Sequence, residues 1–205
     1  MGVYSFIFRA LRKITNIFKQ YFYQILSKLI LLGNGVKFSS NLVCSGLPII
    51  NISRTGYLKI GDNCKINSST NSNPIGRNTP SMLIVRDGAQ LIIGNNVGMS
   101  GSTIICHKEV NIGDNVKIGG NACIYDTDFH SLNSNERAIT EEDKSKTKSK
   151  KVILENNVFI GAHSTILKGV TIGENSIVGA CSLVSKDVPA NEIWGGNPAT
   201  FIRKL

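Results

Sequence analysis

The chain repeats a hydrophobic pattern every six residues. From Val152 to Val188 a small or aliphatic residue returns at each sixth position, and an aliphatic residue follows two places after nearly all of them. A period of six matches neither the 3.6-residue repeat of a helix nor the two-residue alternation of a strand, so it counts whole structural units. If one unit is a short strand with a tight corner, three units close a triangular coil of about eighteen residues. The pattern therefore predicts a parallel β-helix in which the aliphatic residues stack along the axis.

Shorter runs of the same pattern begin at Leu58, Leu91 and Val110. Glycine often follows the aliphatic position and Asn or Asp comes next, which suits corners because these residues tolerate positive φ. The polar segment Thr70–Ser81, with its two prolines, is predicted to be a loop that leaves the coil.

The register is lost after Asp126 and returns only at Val152. Residues 128–151 are therefore predicted to form an excursion from the coil, and long excursions from compact folds are typically functional or disordered. The Lys- and Ser-rich end of this excursion is predicted to be a solvated, mobile flap.

Residues 3–32 are predicted to form one amphipathic helix, because apolar residues recur at steps of three and four. No acidic residue precedes Asp62, so the polar side of the helix is purely basic. The helix either lies in an anionic membrane surface, or caps the coil or packs on a partner subunit; the two roles are compatible. The apolar stripe consists of Ile7, Leu11, Ile14, Phe18, Phe22, Ile25, Leu29 and Leu32. The basic residues are Arg9, Arg12, Lys13, Lys19 and Lys28.

Composition narrows the possible organisation and location. The 205 residues suffice for one domain with an appendage, and the net charge is +9. Predicted divisions are a helix over 1–35, a β-helix domain over 36–200 and a tail over 201–205, itself a short helix. Neither a secretory leader nor a membrane span is expected, and five cysteines without C-x-x-C spacing favour a reducing compartment, so a cytoplasmic location is expected. The basic residues belong to no nucleic-acid-reading module, which argues against nucleic-acid binding.

His130 is the candidate catalytic residue. It lies at the junction where the coil breaks, directly after the carboxylates Asp126 and Asp128. Acyl transfer to a hydroxyl needs a base whose pKa is close to the working pH, and imidazole meets that need. Either Asp126 or Asp128 could accept a hydrogen bond from the second ring nitrogen and fix the tautomer. The alternative is an ordinary histidine on a surface loop.

The repeat [LIV]-G-x-x-x-x, which covers about Leu58 to Leu205, resembles that of the bacterial hexapeptide-repeat acyltransferases. The chain is most similar to the maltose and galactoside O-acetyltransferases and to relatives that modify surface polysaccharides. The resemblance implies an all-β, left-handed parallel β-helix that assembles as a homotrimer. It also implies acetyl-CoA as the acyl donor, a sugar or glycan acceptor, and His130 as the catalytic histidine.

Three motifs resemble the donor-binding segments of that family. Phe159-Ile160-Gly161-Ala162 is similar to the [WF]-[IL]-G-[AS] step beside the pantetheine slot, although the family usually has Trp at the first position. The stretch Gly179–Pro189 is similar to the closing coil, and Gly195–Ala199 with Arg203 is similar to the tail at the nucleotide end. Cationic side chains there would pair with phosphates. The implied donor-binding residues are Phe159, Gly161, Ala162, Ala180, Ser185, Lys186, Pro198 and Arg203.

The acceptor is less constrained. Relatives place acceptor-binding polar residues where this chain has Ser100, but residues 1–35 do not resemble the helical domain of the maltose-type enzymes. Alternatives are an enzyme for a small soluble acceptor, such as an amino acid, nucleotide sugar or drug, and a non-catalytic β-helix scaffold. His107 and His163 lack partners at metal-ligand spacing, so no metal is expected.

Overall fold

A computed structural model of the chain describes residues 2–69 and 79–205. Within these residues the strands form three sheets, here called faces A, B and C, which are visited in rotation along the chain. Face A contains β1 (Lys37–Phe38), β4 (Tyr57–Ile60), β7 (Gln90–Ile93), β10 (Glu109–Ile112), β13 (Val152–Leu154) and β16 (Thr171–Ile172). Face B contains β2 (Val43–Ser45), β5 (Lys65–Asn67), β8 (Gly98–Ser100), β11 (Lys117–Ile118), β14 (Phe159–Ile160), β17 (Ile177–Val178), β19 (Glu192–Gly196) and β20 (Ala199–Lys204). Face C contains β3 (Ile49–Ile52), β6 (Met82–Val85), β9 (Thr103–Cys106), β12 (Cys123–Tyr125), β15 (Thr165–Ile166) and β18 (Leu183–Val184).

The predicted stacking of aliphatic residues is confirmed. Leu91, Val110 and Val152 are register partners on successive strands of face A, and all three are 0% exposed. Each coil alone would leave these side chains in water, so burial requires neighbouring coils above and below. The predicted loop over 70–81 lies, for residues 70–78, outside the described residues.

The three faces form a triangular prism, and one corner of this prism carries a ladder of asparagines. Asn96, Asn115, Asn157, Asn175 and Asn191 all have φ between 58° and 63°. Each of the first four donates its side-chain amide to the side-chain oxygen of the next, over 2.8 to 3.0 Å. Asparagine is the non-glycine residue that best tolerates this left-handed conformation, and the ladder also satisfies its amide groups.

The predicted excursion is confirmed, but its interior is more ordered than expected. β12 ends at Tyr125 and β13 begins at Val152, and an antiparallel bridge between Thr127 and Ser149 closes the base. The excursion contains the helices α2 (Ser134–Arg137) and α3 (Thr140–Lys146), so the expectation of an irregular flap at its Lys- and Ser-rich end is wrong for residues 141–146. α3 carries three acids in its first turn and two lysines in its last turn, an order that the helix dipole favours.

The predicted N-terminal helix is confirmed as α1 (Val3–Gly33), and it caps the first coil. The Gln24 amide donates to Leu42 O over 2.6 Å and accepts from Cys44 N over 2.7 Å. Ser27, fully buried, donates to Gly46 O. These contacts satisfy backbone groups at the free edge of the first coil around β2, where no preceding coil pairs with it. No helix in the described part of the chain is long and apolar enough to span a membrane.

The C-terminal tail is a strand, so the prediction of a short helix over 201–205 is wrong. β19 continues face B, and β20 folds back on it as an antiparallel partner with a turn at Asn197–Pro198. Because β19 is the last parallel strand of face B, its outer edge is open, and the tail satisfies that edge by pairing along it.

Candidate active site

The backbone is strained directly before His130. Phe129 has φ of 64°, a conformation that bulky residues rarely adopt. Its N–H donates to Thr127 Oγ1 over 3.2 Å, and its ring packs edge-on against Tyr125 and His107, with centroids 5.2 and 6.0 Å away. These contacts hold Phe129 against the prism, so the chain must turn outward at His130. Strain of this kind clusters at functional sites.

His130 forms a close pair with a carboxylate from α3. His130 Nδ1 lies 2.7 Å from Asp143 Oδ2, while Asp143 Oδ1 accepts from Ser131 N over 2.6 Å. The imidazole side chain is 66% exposed, whereas Asp143 is 13% exposed. A carboxylate can only accept, so Nδ1 carries the proton and Nε2 keeps its lone pair for an incoming reactant.

The hydrogen bond from His130 and the Ser131 N–H lower the pKa of Asp143 below its ordinary value of 3.8. A depressed carboxyl pKa means that the contact stabilises the fold at pH values above 3.8. That contribution is lost only as the pH falls through the lowered value. Asp143 is therefore ionised, and the pair is intact, throughout the neutral range.

Neither carboxylate predicted to orient His130 does so. Asp126 is fully buried and accepts from the backbone N–H groups of His107, Lys108 and Glu109 over 2.7 to 2.8 Å. Its role is to hold the corner of the preceding coil, because its buried carboxylate accepts from three successive backbone N–H groups of that corner.

Asp128 pairs with Lys168 Nζ over 2.8 Å rather than with His130. Its second oxygen, Oδ2, is buried and has no hydrogen-bond partner within the described residues. The ion pair ties the start of the excursion to the next coil, since Lys168 lies in the corner after β15. Sequence reasoning missed Asp143 because it is thirteen residues from His130; its one signal was the acidic run Glu141–Asp143 in the excursion.

A pocket of about 460 Å³ lies on the excursion, and its wall includes Ser131, which follows His130 and donates its N–H to Asp143. Its walls offer hydroxyl, amide, carboxylate and ammonium groups, the groups that bind hydroxylated molecules. The lining residues are Ser131, Leu132, Asn133, Glu136, Lys146 and Lys148.

Three of the predicted donor-binding residues meet at the corner between faces B and C. A Cβ on Gly161 would lie 2.5 Å from Ala180 N, so only glycine fits between these coils. Ala162 O accepts from Cys181 N over 2.9 Å. In contrast, the N–H groups of Ala162 and Ala180 have no hydrogen-bond partner among the residues described, so both can serve a ligand.

Phe159 and Arg203 lie in one row across face B. Phe159 pairs with Ile177, Ile177 with Ile193, and Ile193 with Arg203. Three strand spacings separate the ends of this row by about 14 Å. Phe159 is 45% exposed, and Pro198 is exposed in the turn of the hairpin that packs beside the same corner.

The remaining predicted residues lie elsewhere on the chain. Ser185 and Lys186 are exposed in the corner between faces C and A, not in the corner that holds Ala180. Ser100 lies on face B and accepts from the Asn67 amide over 3.1 Å. The excursion that carries His130 also begins at a corner between faces C and A. The candidate base and the row from Phe159 to Arg203 on face B, here called the donor row, therefore lie on opposite sides of face C.

The other two histidines lie in corners of the prism. His163 Nδ1 lies 3.3 Å from the Asn121 amide, and burial lowers the pKa of His107. Among the side chains that the structure describes, no group of three His, Cys, Asp or Glu residues is placed to hold a metal ion.

Residues 151–186 match the family described as bacterial transferase hexapeptide (six repeats). The galactoside O-acetyltransferase of Lactococcus lactis subsp. lactis (strain IL1403) is 31% identical over 169 residues, which are 82% of this chain and 73% of that protein. This chain is a hexapeptide-repeat acyltransferase. The galactoside O-acetyltransferase of Escherichia coli (strain K12) is 37% identical over 122 residues, and that match covers 58% of this chain and 56% of the relative.

Solved structures confirm the fold of this acyltransferase. AntD, an N-acyltransferase from Bacillus cereus solved in complex with dTDP and 3-hydroxybutyryl-CoA, superposes with a TM-score of 0.64 at 22% identity. The superposition covers 86% of each chain. The architecture is thus a left-handed parallel β-helix with an N-terminal helix.

Proposed function

We propose that this acyltransferase moves an acetyl group from acetyl-CoA to a hydroxyl of a sugar or polysaccharide precursor, with His130 as the general base. The observation that carries the proposal is the exposed His130 ring, held by Asp143 beside a polar pocket. The galactoside O-acetyltransferases among the relatives support a sugar acceptor.

The geometry supports a direct transfer. Asp143 holds the Nδ1 proton of His130, so Nε2 can take the proton of the acceptor hydroxyl while that oxygen bonds to the thioester carbonyl carbon. When the carbon–sulfur bond breaks, the imidazolium can return the proton to the leaving thiolate. All atoms and charges balance without a covalent acyl-enzyme.

Face B suits an extended acyl-CoA. The donor supplies the activated thioester, and this chain offers a row from Phe159 to Arg203 and two unpaired N–H groups at Ala162 and Ala180. Amide N–H groups can bind the pantetheine carbonyls, and a guanidinium can pair with phosphate. We place the enzyme in the cytoplasm, where acetyl-CoA is available.

A homotrimer would complete the site. Face C has a half-buried apolar outer surface, which favours burial against another copy. Since His130 and the donor row flank face C from opposite sides, a second copy packed there would bring its donor row to the first copy's base. The apolar residues on this surface are Met82, Ile84, Ile105, Tyr125 and Leu183.

A nucleotide sugar is the second candidate acceptor. Lys146 and Lys148 line the pocket and could pair with a diphosphate. A thioester-release assay with free sugars, glycan precursors and nucleotide sugars distinguishes the two classes of acceptor. If none of these acceptors stimulates thioester release, the proposed transfer is wrong.

Replacing Asp143 by asparagine should lower kcat about tenfold to a hundredfold while keeping the fold, because the amide keeps the shape but cannot stabilise an imidazolium. Steady-state kinetics at one neutral pH measures kcat and KM. Glu141→Gln, an exposed change on the same helix, is the matched control. An Asp143→Asn variant with the kcat of wild type would show that Asp143 does not position the base.

Arg203→Ala should raise the KM for acetyl-CoA about tenfold with kcat nearly unchanged, because one charge-assisted contact to phosphate is lost. Lys204→Ala is the matched control, since its side chain points to the opposite side of β20. Equal KM values for acetyl-CoA in the two variants would show that Arg203 does not bind the donor.

A further inference from the structure

α1 presents its apolar stripe away from the β-helix. The coil contacts run through Gln20, Gln24, Ser27 and Leu31, and each has a stripe residue two positions before it. Two positions correspond to about 200° around a helix, so the stripe lies on the side opposite to the coil. The side chains of the stripe are 50% to 71% exposed. These residues are Ile7, Leu11, Ile14, Phe18, Phe22, Ile25, Leu29 and Leu32.

The length and shape of this surface suit a flat partner. The stripe runs from Ile7 to Leu32, about 38 Å along the axis at 1.5 Å per residue. Further exposed aromatic residues, Tyr4, Phe6 and Phe8, extend it at the N-terminal end. An apolar patch of this extent marks a site of contact with another surface.

The charge of α1 selects the partner. The helix carries five basic residues and no acidic one, and no acid occurs before Asp62. Arg12 and Lys19 lie beside the stripe, where long side chains can reach past an apolar boundary to anionic groups. A second copy of α1 would bring like charges together, whereas an anionic lipid surface neutralises them.

We propose that the stripe of α1 docks on an anionic lipid bilayer, with the helix lying parallel to the surface in the headgroup region. The coil, bound to the other side of α1, then stays in water. The docked enzyme would meet acceptors carried on lipid, a consequence that depends on the proposed function. The docking itself does not, because it needs neither the base nor the donor.

Vesicle sedimentation of the full chain tests the proposal. Wild type should sediment with vesicles of phosphatidylcholine and phosphatidylglycerol and bind pure phosphatidylcholine about tenfold less. Phe18→Ser with Phe22→Ser should reduce binding about tenfold or more. Arg12→Gln with Lys19→Gln should reduce binding to anionic vesicles alone.

Lys144→Gln with Lys204→Gln changes net charge equally outside α1 and should bind like wild type. Circular dichroism and thioester release with a small sugar report whether the variants fold and work. Wild type left in the supernatant, or equal binding by all variants, would overturn the proposal. Unchanged vesicle binding with a smaller oligomer in the Phe18→Ser, Phe22→Ser variant would instead assign the stripe to contacts between copies.

Discussion

His130→Ala is expected to lower kcat by about 10²- to 10⁴-fold, the usual contribution of a general base. The melting temperature should hardly change, because the ring is 66% exposed and its main contact is one partly exposed hydrogen bond to Asp143. Thioester release and thermal denaturation measure the two quantities on the same preparation.

Lys144→Ala, an exposed change on α3, should leave kcat and melting unchanged and serves as the control for the excursion. Turnover of His130→Ala within about threefold of wild type would exclude a role in proton transfer. Loss of melting temperature together with turnover would make His130 a structural residue.

Asp126→Ala is expected to lower the free energy of unfolding by about 3–5 kcal/mol, because three backbone N–H groups lose their buried, charged acceptor. Urea denaturation measures the loss. For a chain of this size the melting temperature should fall by roughly 6–20 °C.

Asp87 gives a matched control in another corner between faces C and A. It accepts from Thr55 N and Thr55 Oγ1, but these groups are exposed. Asp87→Ala should therefore cost about 0.5 kcal/mol. Similar losses in the two variants would mean that burial does not set the cost and that Asp126 is not the anchor of its corner.

The repeat and its interruption were predictable because their signal is local. Val110 and Val152 take up equivalent positions although 42 residues separate them, since each unit pairs with the unit one coil away. His130 could be singled out for the same reason, as the histidine at the break in the register. The helical content of α3 was not foreseen, because its Lys- and Ser-rich composition concealed the favourable order of its charges.

The period of six could also have predicted which corner of the coil holds each of the proposed donor-binding residues. Ala162 and Ala180 are eighteen positions apart, one full coil, and so share a corner. Ser185 and Lys186 fall one unit later and therefore lie in the next corner. The family resemblance assigned Ala180, Ser185 and Lys186 to one binding site, although within a single chain they lie in two different corners.

The hydrogen-bond partner of His130 could not be predicted from nearness in the sequence. Asp126 and Asp128 are near His130 in sequence, yet both are drawn to other groups, the backbone of the preceding corner and Lys168. Asp143 reaches the ring only because the excursion folds back through α2 and α3.

The amino-acid sequence by itself determined the β-helix, the amphipathic N-terminal helix and the histidine at the interrupted coil, because a strict period acts between neighbouring units. Only the tertiary structure decided which carboxylate holds His130, which side of α1 caps the coil and how the tail ends. These outcomes depend on competition among hydrogen-bonding groups that are distant in the sequence. The local sequence pattern does not indicate which of these groups will be nearest after folding.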